Sequence, residues 1–162
     1  MNTNGSRKPK GSSRMANTTD ALLKVYEEQW AQGRQHQNQR ATITNVVLLV
    51  ASAIFGFISQ QGLNSQTLPL AILLTAIGIF GAVACEKLYE RSQLHFSRTR
   101  LLLKRIDELH PKAQLMKRIE EANADHKSKF PRMIRVHVHH LWLALHLTVI
   151  LAGVVLILII IL

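Results

Sequence analysis

Two long stretches without a charged side chain dominate the pattern of the sequence. Residues 41–85 contain 45 consecutive positions without Lys, Arg, Asp or Glu, and residues 136–162 contain 27 more. An α-helix rises about 1.5 Å per residue, so a bilayer core of about 30 Å requires roughly 20 apolar residues. The first stretch therefore predicts two membrane spans, Ala41–Gln60 and Leu68–Cys85, and the second predicts one, Leu141–Leu162.

The short segment between the first two predicted spans is polar but uncharged. It reads SQQGLNSQT over Ser59–Thr67, which is typical of a hairpin loop between two helices. A soluble bundle with buried core helices is the alternative, but the C-terminal run VVLILIIIL has no polar face to turn toward water. A cleaved signal peptide is also disfavoured, because the first apolar run starts only after forty mostly polar residues. The pattern therefore predicts an all-α membrane protein with three transmembrane helices.

The basic residues lie on one side of this predicted arrangement. The formal net charge is +10, and all 20 Lys and Arg residues lie outside the spans. Seven precede span one and thirteen lie between spans two and three, whereas the hairpin loop and the C-terminal run contain none. Because cytoplasmic loops carry the excess of Lys and Arg, we expect the N-terminus and residues 86–140 to be cytoplasmic and the C-terminus to lie outside.

The same charge distribution indicates the kind of partner. A basic face beside three spans favours contact with anionic lipid headgroups. Nucleic acid is disfavoured, because aromatic residues, which would stack on its bases, make up only 6% of the chain. Within the basic region, we expect one patch to bind an anionic ligand, a headgroup or a cytoplasmic protein: Arg98, Arg100, Lys104 and Arg105.

The segments before the first span differ in composition. Residues 1–16 are rich in Gly, Ser and basic side chains and predict a disordered basic tail. Residues 17–40 predict an N-terminal cytoplasmic helix with Leu22, Tyr26 and Trp30 on one apolar face. Since this segment contains no proline, the helix is free to continue into span one.

Residues 86–135 predict a cytoplasmic helical hairpin between spans two and three. No Pro or Gly follows span two until Pro111, so we expect span two to extend into the cytoplasm as one long helix. A second helix follows, with an apolar stripe of three positions: Leu115, Ile119 and Ala122. Residues 136–162 then form the third transmembrane helix, after the two-span hairpin of residues 41–85.

The extension of span two carries a heptad-like seam of the coiled-coil type. Its positions recur at alternating steps of four and three residues: Leu88, Ser92, His95, Thr99, Leu102, Ile106 and Leu109. Such a seam packs against another helix, and we expect it to join the subunits of a homo-oligomer. Within span two, the small residues Gly78, Gly81 and Ala82 would allow another helix to approach closely.

The spans contain few polar groups that suggest a function. They have no Asp, Glu, Lys or Arg, which speaks against coupled ion transport. In span one, Asn45, Ser52 and Ser59 recur every seven residues as a polar stripe, suited either to a helix contact or to the wall of a pore. His146 lies about one turn inside span three and is the strongest candidate for a functional intramembrane residue, although a hydrogen bond that serves helix packing is the favoured interpretation.

Four histidines lie close together in the stretch IRVHVHHLWLALH. On one helix His137 and His140 lie about 60° apart, whereas His139 and His146 share the opposite face. No single helix can therefore gather all four around one metal ion. The first three are interpreted as residues of the membrane interface, with Trp142 as an aromatic anchor. A pH-responsive ring in an oligomer and a metal site are the alternatives.

Motifs for catalysis are absent from the sequence. It contains no nucleophile elbow, no glycine-rich phosphate loop, no HExxH motif and no paired carboxylates in a pocket-forming context. We therefore expect no enzymatic activity, no catalytic residue, no cofactor and no metal. The single cysteine, Cys85, excludes an internal disulfide and is interpreted as a packing thiol, with acylation as the alternative.

The order of these elements resembles two bacterial families. The segments KVYEEQWAQGRQHQNQR entering span one, LYERSQLHFSRTRLLLKRIDELHP leaving span two and FPRMIRVH before span three resemble RipA-type oligomeric membrane proteins. The two-span hairpin with its trailing helix also resembles SLATT-type effector modules, which are proposed to perforate membranes in bacterial defence. Either resemblance implies a homo-oligomer of the bacterial inner membrane. The function it implies is a membrane-perturbing or channel-like effector, with a non-catalytic scaffold for a cytoplasmic protein as the alternative.

Overall fold

The described part of the chain folds into four α-helices and one short 3-10 turn. The computed structural model describes residues 10–162, with side chains described from residue 17 onward. The elements follow in chain order: α1 (Lys10–Gln61), α2 (Leu68–Leu109), α3 (Leu115–Lys129), the 3-10 turn (Met133–Arg135) and α4 (Val138–Ile161). Among these described residues, α1, α2 and α4 are long and apolar enough to cross a membrane. The prediction of an all-α chain with three such helices is confirmed.

The first helix begins earlier than the composition of the chain indicated. Residues 1–9 of the expected disordered tail lie outside the described residues, whereas residues 10–16 belong to α1. Residues 10–16 therefore extend the first helix toward the N-terminus. The physical reason is that no proline lies between Lys10 and Gln61, and lengthening an existing helix adds one hydrogen bond for each residue fixed. The predicted N-terminal helix and span one are one continuous helix.

α1 and α2 pair antiparallel along their shared length and form one rod. Each helix buries a stripe whose positions follow the spacing of a coiled coil. The buried positions on α1 are Gly33, Arg40, Thr44, Val47, Ala51, Ile54 and Ile58. The buried positions on α2 are Ala71, Leu74, Gly78, Gly81, Cys85, Ser92, Thr99 and Ile106. At about 1.5 Å per residue, the 42-residue α2 gives the rod a length of roughly 60 Å.

The heptad seam of α2 is thus occupied within the chain. Ser92 and Ile106 are buried, and two polar contacts between the helices α1 and α2, or their ends, set the register of the pair. Nε2 of Gln37 donates to Oγ of Ser92 (2.6 Å), and Oγ1 of Thr19 lies 3.0 Å from Nε2 of His110 at the far end of the rod. Any contact between two copies of this chain has to use other faces.

The rod divides into two halves of different chemistry. The apolar half contains the charge-free residues 41–85 and includes the loop between α1 and α2; the polar half contains residues 17–40 and 86–110. In the loop, Gly62 adopts a φ of +80°, which residues with a side chain rarely adopt. The hydroxyl of the buried Thr67 donates to Gly62 O (3.1 Å), which closes the loop.

α3 follows α2 through a capped turn. The turn contains Pro111 and the left-handed Gln114 (φ +49°). The Asp107 carboxylate, in the last turn of α2, accepts hydrogen bonds from the backbone N–H groups of Leu115 (2.7 Å) and Met116 (3.3 Å). It thereby satisfies donors that the first turn of a helix leaves free. α3 contains no buried residue, so it is the least tightly packed helix of the chain.

α4 packs on the apolar half of α2, and glycines permit the close approach. A Cβ on Gly78 would lie 3.0 Å from the backbone nitrogen of Ile150, and a Cβ on Gly153 would lie 2.9 Å from that of Thr75. Any side chain at these two positions would push the helices apart, because a backbone atom cannot rotate out of the way. Ala82, which lies on α2 with Gly78, is half-buried. The small residues singled out in span two therefore lie beside another helix of the same chain.

Candidate functional site

Five side chains from three helices meet where the apolar half of the rod gives way to the polar half. α1 supplies Arg40, α2 supplies Glu86 and Tyr89, and α4 supplies His139 and Trp142. We call these five residues the boundary cluster. Its level is clear from the sequence: Arg40 is the last charged residue before the apolar stretch, and Glu86 is the first one after it.

Arg40 is the centre of the boundary cluster and is only 5% exposed. Its guanidinium carbon lies 5.7 Å from the centre of the Tyr89 ring and 5.5 Å from that of Trp142, within the range of cation–π contact. The nitrogens Nε and Nη1 are buried without a hydrogen-bond partner. Burying a permanent charge costs several kcal/mol, and each desolvated cation–π contact offsets about 2 kcal/mol of it. The aromatic faces thus stabilise Arg40 but leave part of its hydrogen-bonding capacity unused.

Arg40 is a site residue that hydropathy alone does not reveal. It lies seven residues before Val47 and fourteen before Ile54, so it shares their heptad position on α1. Gly33 occupies the same position one heptad earlier. Since neither Gly nor Arg is apolar, the stripe ends at Val47 for any search based on apolar side chains. The available signal was the seven-residue spacing itself.

The three histidines at the start of α4, His137, His139 and His140, do not share one environment. The imidazole of His139 stacks on Tyr89, with ring centres 3.8 Å and planes 13° apart, and its Nε2 donates to Oε1 of Glu86 (3.0 Å). His137 and His140 are exposed. Within the part of the chain that the structure describes, no group of three or more His, Cys, Asp or Glu side chains is placed to hold a metal ion. His139 therefore belongs to the boundary cluster, and the other two lie outside it.

His146 lies about two turns farther along α4 and is fully buried. The Thr44 hydroxyl donates to Arg40 O (3.0 Å), so its oxygen is left to accept from Nε2 of His146 (3.1 Å). Nδ1 of the same ring has no partner and lies against Gly81, where a Cβ would collide with the ring. His146 thus connects α4 to both helices of the rod.

Another polar contact lies in the polar half of the rod. Nδ1 of His95 donates to Oε1 of Gln29 (2.9 Å), and the centre of the His36 ring lies 5.3 Å from that of His95. Burial lowers the pKa of His95, and the nearby His36, Arg98 and Arg91 lower it further. Protonation of His95 is therefore disfavoured while α1 and α2 are paired.

The predicted polar stripe of α1 lies apart from these contacts. Asn45, Ser52 and Ser59 are all exposed, and no other helix of the chain covers them. The Ser52 hydroxyl donates to Leu48 O of its own helix (2.8 Å). The side-chain amide of Asn45 makes no hydrogen bond to any described residue. The stripe therefore faces whatever surrounds a single copy of the chain.

The predicted basic patch lies on the exposed surface of α2. Its four members, Arg98, Arg100, Lys104 and Arg105, are all exposed, and Arg105 pairs with Glu108 (2.9 Å). Arg100 also lines a cavity of about 700 Å3 between α1, α2 and α3. Aromatic and apolar side chains form much of the cavity wall: Tyr26, Trp30, Phe96, Leu103, Met116 and Ile119. The patch is accessible to a partner, and one of its members lies beside an apolar cavity.

Comparison of the chain with family models, with curated proteins and with solved structures finds no match in any of the three. The resemblances to RipA-type and SLATT-type proteins therefore stay predictions. What the geometry itself provides is a junction of three helices, joined by cation–π, stacking and hydrogen-bonding contacts at one level of the molecule.

The Thr44–His146 hydrogen bond predicts a measurable coupling between α1 and α4. We expect Thr44→Val to lower the free energy of unfolding by about 1–2 kcal/mol, because valine keeps the volume but leaves the His146 donor without an acceptor. A double-mutant cycle with His146→Leu, measured by denaturant unfolding in detergent, should give a coupling energy of roughly 0.6–1.7 kcal/mol. Thr148→Val is the matched control, since the exposed Thr148 hydroxyl donates only to Ala144 O of its own helix (2.9 Å). Zero coupling would contradict the contact.

The lowered pKa of His95 predicts that the protein loses stability in mild acid. The pKa of His95 in the folded chain lies below its ordinary value of 6.5, so the unfolded chain takes up the proton first as the pH falls. The stability that neutral His95 contributes is thus present above about pH 6.5 and is lost as the pH falls toward the folded-state pKa.

Thermal unfolding measured from about pH 8 to about pH 5 tests this directly. The fall in Tm on acidification should be smaller in His95→Gln than in the unmodified chain, because glutamine keeps a donor for Gln29 and cannot be protonated. His126→Gln is the matched control, because it makes the same substitution on the exposed α3, outside the contact of α1 with α2. An equal fall in Tm for the unmodified chain and His95→Gln would show that another group is responsible.

Proposed function

We propose that this protein is a homo-oligomer of the bacterial inner membrane that acts as a membrane-perturbing, channel-like effector. In this proposal the polar half of the rod and α3 lie in the cytoplasm as a helical region, and α1, α2 and α4 cross the bilayer. The one-sided distribution of Lys and Arg supports this orientation, because thirteen of them lie between the charge-free stretches of residues 41–85 and 136–162. The C-terminus then lies outside.

The observation that carries the proposal is the exposed polar stripe of α1. Asn45, Ser52 and Ser59 lie on a surface that a single chain would present to lipid. An amide such as that of Asn45 costs several kcal/mol in hydrocarbon when it makes no hydrogen bond. The cost disappears if the stripe faces the same stripe of a neighbouring copy or a column of water. Self-association through this face would therefore stabilise the protein in the membrane. A ring of such stripes would line a polar path across the bilayer.

Because the helices of the rod are unbroken, a movement of the polar half can be transmitted to the apolar half. α1 and α2 each continue from the polar half into the apolar half without an interruption. A ligand or protein bound to the basic patch of α2 (Arg98, Arg100, Lys104 and Arg105) would therefore move the membrane-embedded part of the same helices. No flexible linker separates the patch from the apolar half.

A scaffold that recruits a cytoplasmic protein is the second candidate. The cavity of about 700 Å3 between α1, α2 and α3 favours it, because its aromatic wall and Arg100 suit a partner with apolar and acidic side chains. A scaffold requires no opening of the membrane. It predicts a protein that binds its partner and leaves the membrane potential unchanged.

Membrane potential distinguishes the two functions. Bacteria that overproduce the protein should depolarise, as measured with a potential-sensitive dye, and Ser52→Leu should abolish most of this effect by replacing a hydroxyl of the proposed path with an apolar side chain. Thr148→Leu is the control, because Thr148 is also exposed on a membrane helix but lies outside the stripe. Depolarisation that is absent from cells making the unmodified protein, or equally strong with Ser52→Leu, would contradict the channel-like function.

A further inference from the structure

The connection between α3 and α4 combines basic and exposed apolar side chains without an acidic one. Residues 127–138 contain four basic and no acidic side chains: Lys127, Lys129, Arg132 and Arg135. Five apolar side chains of the same segment are exposed: Phe130, Met133, Ile134, Val136 and Val138. We call residues 127–138 the juxtamembrane segment. Exposed apolar groups clustered this closely are typical of a surface that contacts another protein or a membrane.

The structure places the juxtamembrane segment at the level where the apolar half of the rod ends. His139 follows it directly, stacks on Tyr89 and donates to Glu86 (3.0 Å). Glu86 is the first charged residue after the apolar stretch of α2, so this contact lies at the end of the predicted span. The C-terminal end of the segment therefore lies where α4 would leave the hydrocarbon, at the depth of the lipid headgroups.

The composition of the segment suits that depth. Apolar side chains interspersed with Lys and Arg, without acidic residues, are typical of segments that insert their apolar groups among lipid headgroups. Each Lys or Arg near an anionic surface strengthens binding roughly fivefold. α3 lacks this property, because Glu120, Glu121 and Asp125 offset its basic residues. An acidic protein surface would satisfy the four charges, but five exposed apolar side chains beside a membrane helix favour lipid.

We propose that the juxtamembrane segment is a binding site for anionic lipid headgroups. The phosphate groups contact Arg132 and Arg135, which can each donate two hydrogen bonds to one phosphate, while Phe130 and Met133 insert beside the acyl chains. The segment also ends α3, so binding holds one end of α3 at the bilayer surface. The lipid composition of the membrane then sets where α3 lies relative to the polar half of the rod. This inference does not depend on a pore.

The environment of Met133 provides the test. In a full-length chain carrying Cys85→Ser and Met133→Cys, a polarity-sensitive fluorophore on the new thiol is read in reconstituted vesicles. Vesicles of phosphatidylcholine with phosphatidylglycerol should shift its emission to the blue relative to phosphatidylcholine alone. Arg132→Gln with Arg135→Gln should raise the phosphatidylglycerol needed for half of the shift by roughly 25-fold. Lys112→Gln with Lys117→Gln removes the same charge at exposed positions outside both the juxtamembrane segment and the basic patch, and should leave the shift unchanged.

Three results would overturn the proposal. Identical emission in the two kinds of vesicle would show that anionic headgroups do not reach the segment. An undiminished shift in the Arg132/Arg135 variant would show that these side chains do not bind them. A shift produced by inorganic phosphate added to phosphatidylcholine vesicles would identify a soluble phosphate, and not a lipid, as the ligand. None of these readouts measures conductance, so the outcome is independent of the channel-like function.

Discussion

The pairing of α1 with α2 along one heptad seam determines where the rest of the molecule lies. The seam contains small and polar side chains as well as apolar ones, so the two helices approach closely. At Gly33, a Cβ would lie 2.6 Å from the Phe96 ring, which shows how little space separates the helices in the polar half. The register set by Gln37 and Ser92 places Arg40 beside Tyr89. α4 can then complete the boundary cluster with Trp142 from the other side.

The helices pack differently in the two halves of the rod. In the apolar half three helices pack together through close contacts at glycine positions such as Gly78 and Gly153. In the polar half α1 and α2 pair with each other through mixed polar contacts, and α3 packs only lightly. The boundary cluster joins the two regions around a buried charge with unused hydrogen-bonding capacity. A displacement of the polar half at this level would expose the Arg40 guanidinium to new hydrogen-bond partners.

Patterns that depend on one helix were readable from the sequence, and patterns that depend on two were not. The charge-free stretches predicted three apolar helices, and Pro111 lies two residues after the last residue of α2, because both signals act locally. The seam containing Ser92 and Ile106 was recognised, but its partner was expected in another subunit. The matching stripe of α1 continues through Arg40 and Gly33, which no hydropathy pattern counts as buried positions. Likewise, nothing in the spacing of the histidines distinguishes His139, stacked on Tyr89, from its exposed neighbours.

The register of α1 against α2 is the central claim, and thiol cross-linking in native membranes tests it most directly. In a Cys85→Ser chain, Gln37→Cys with Ser92→Cys should be joined within one chain by a short thiol cross-linker, since the native side chains are 2.6 Å apart. Gln37→Cys with Ile106→Cys, displaced by fourteen residues or about 21 Å along the helix, should not be joined. Cross-links of the first pair that form only between chains, or equal joining of both pairs, would contradict an antiparallel rod within one chain.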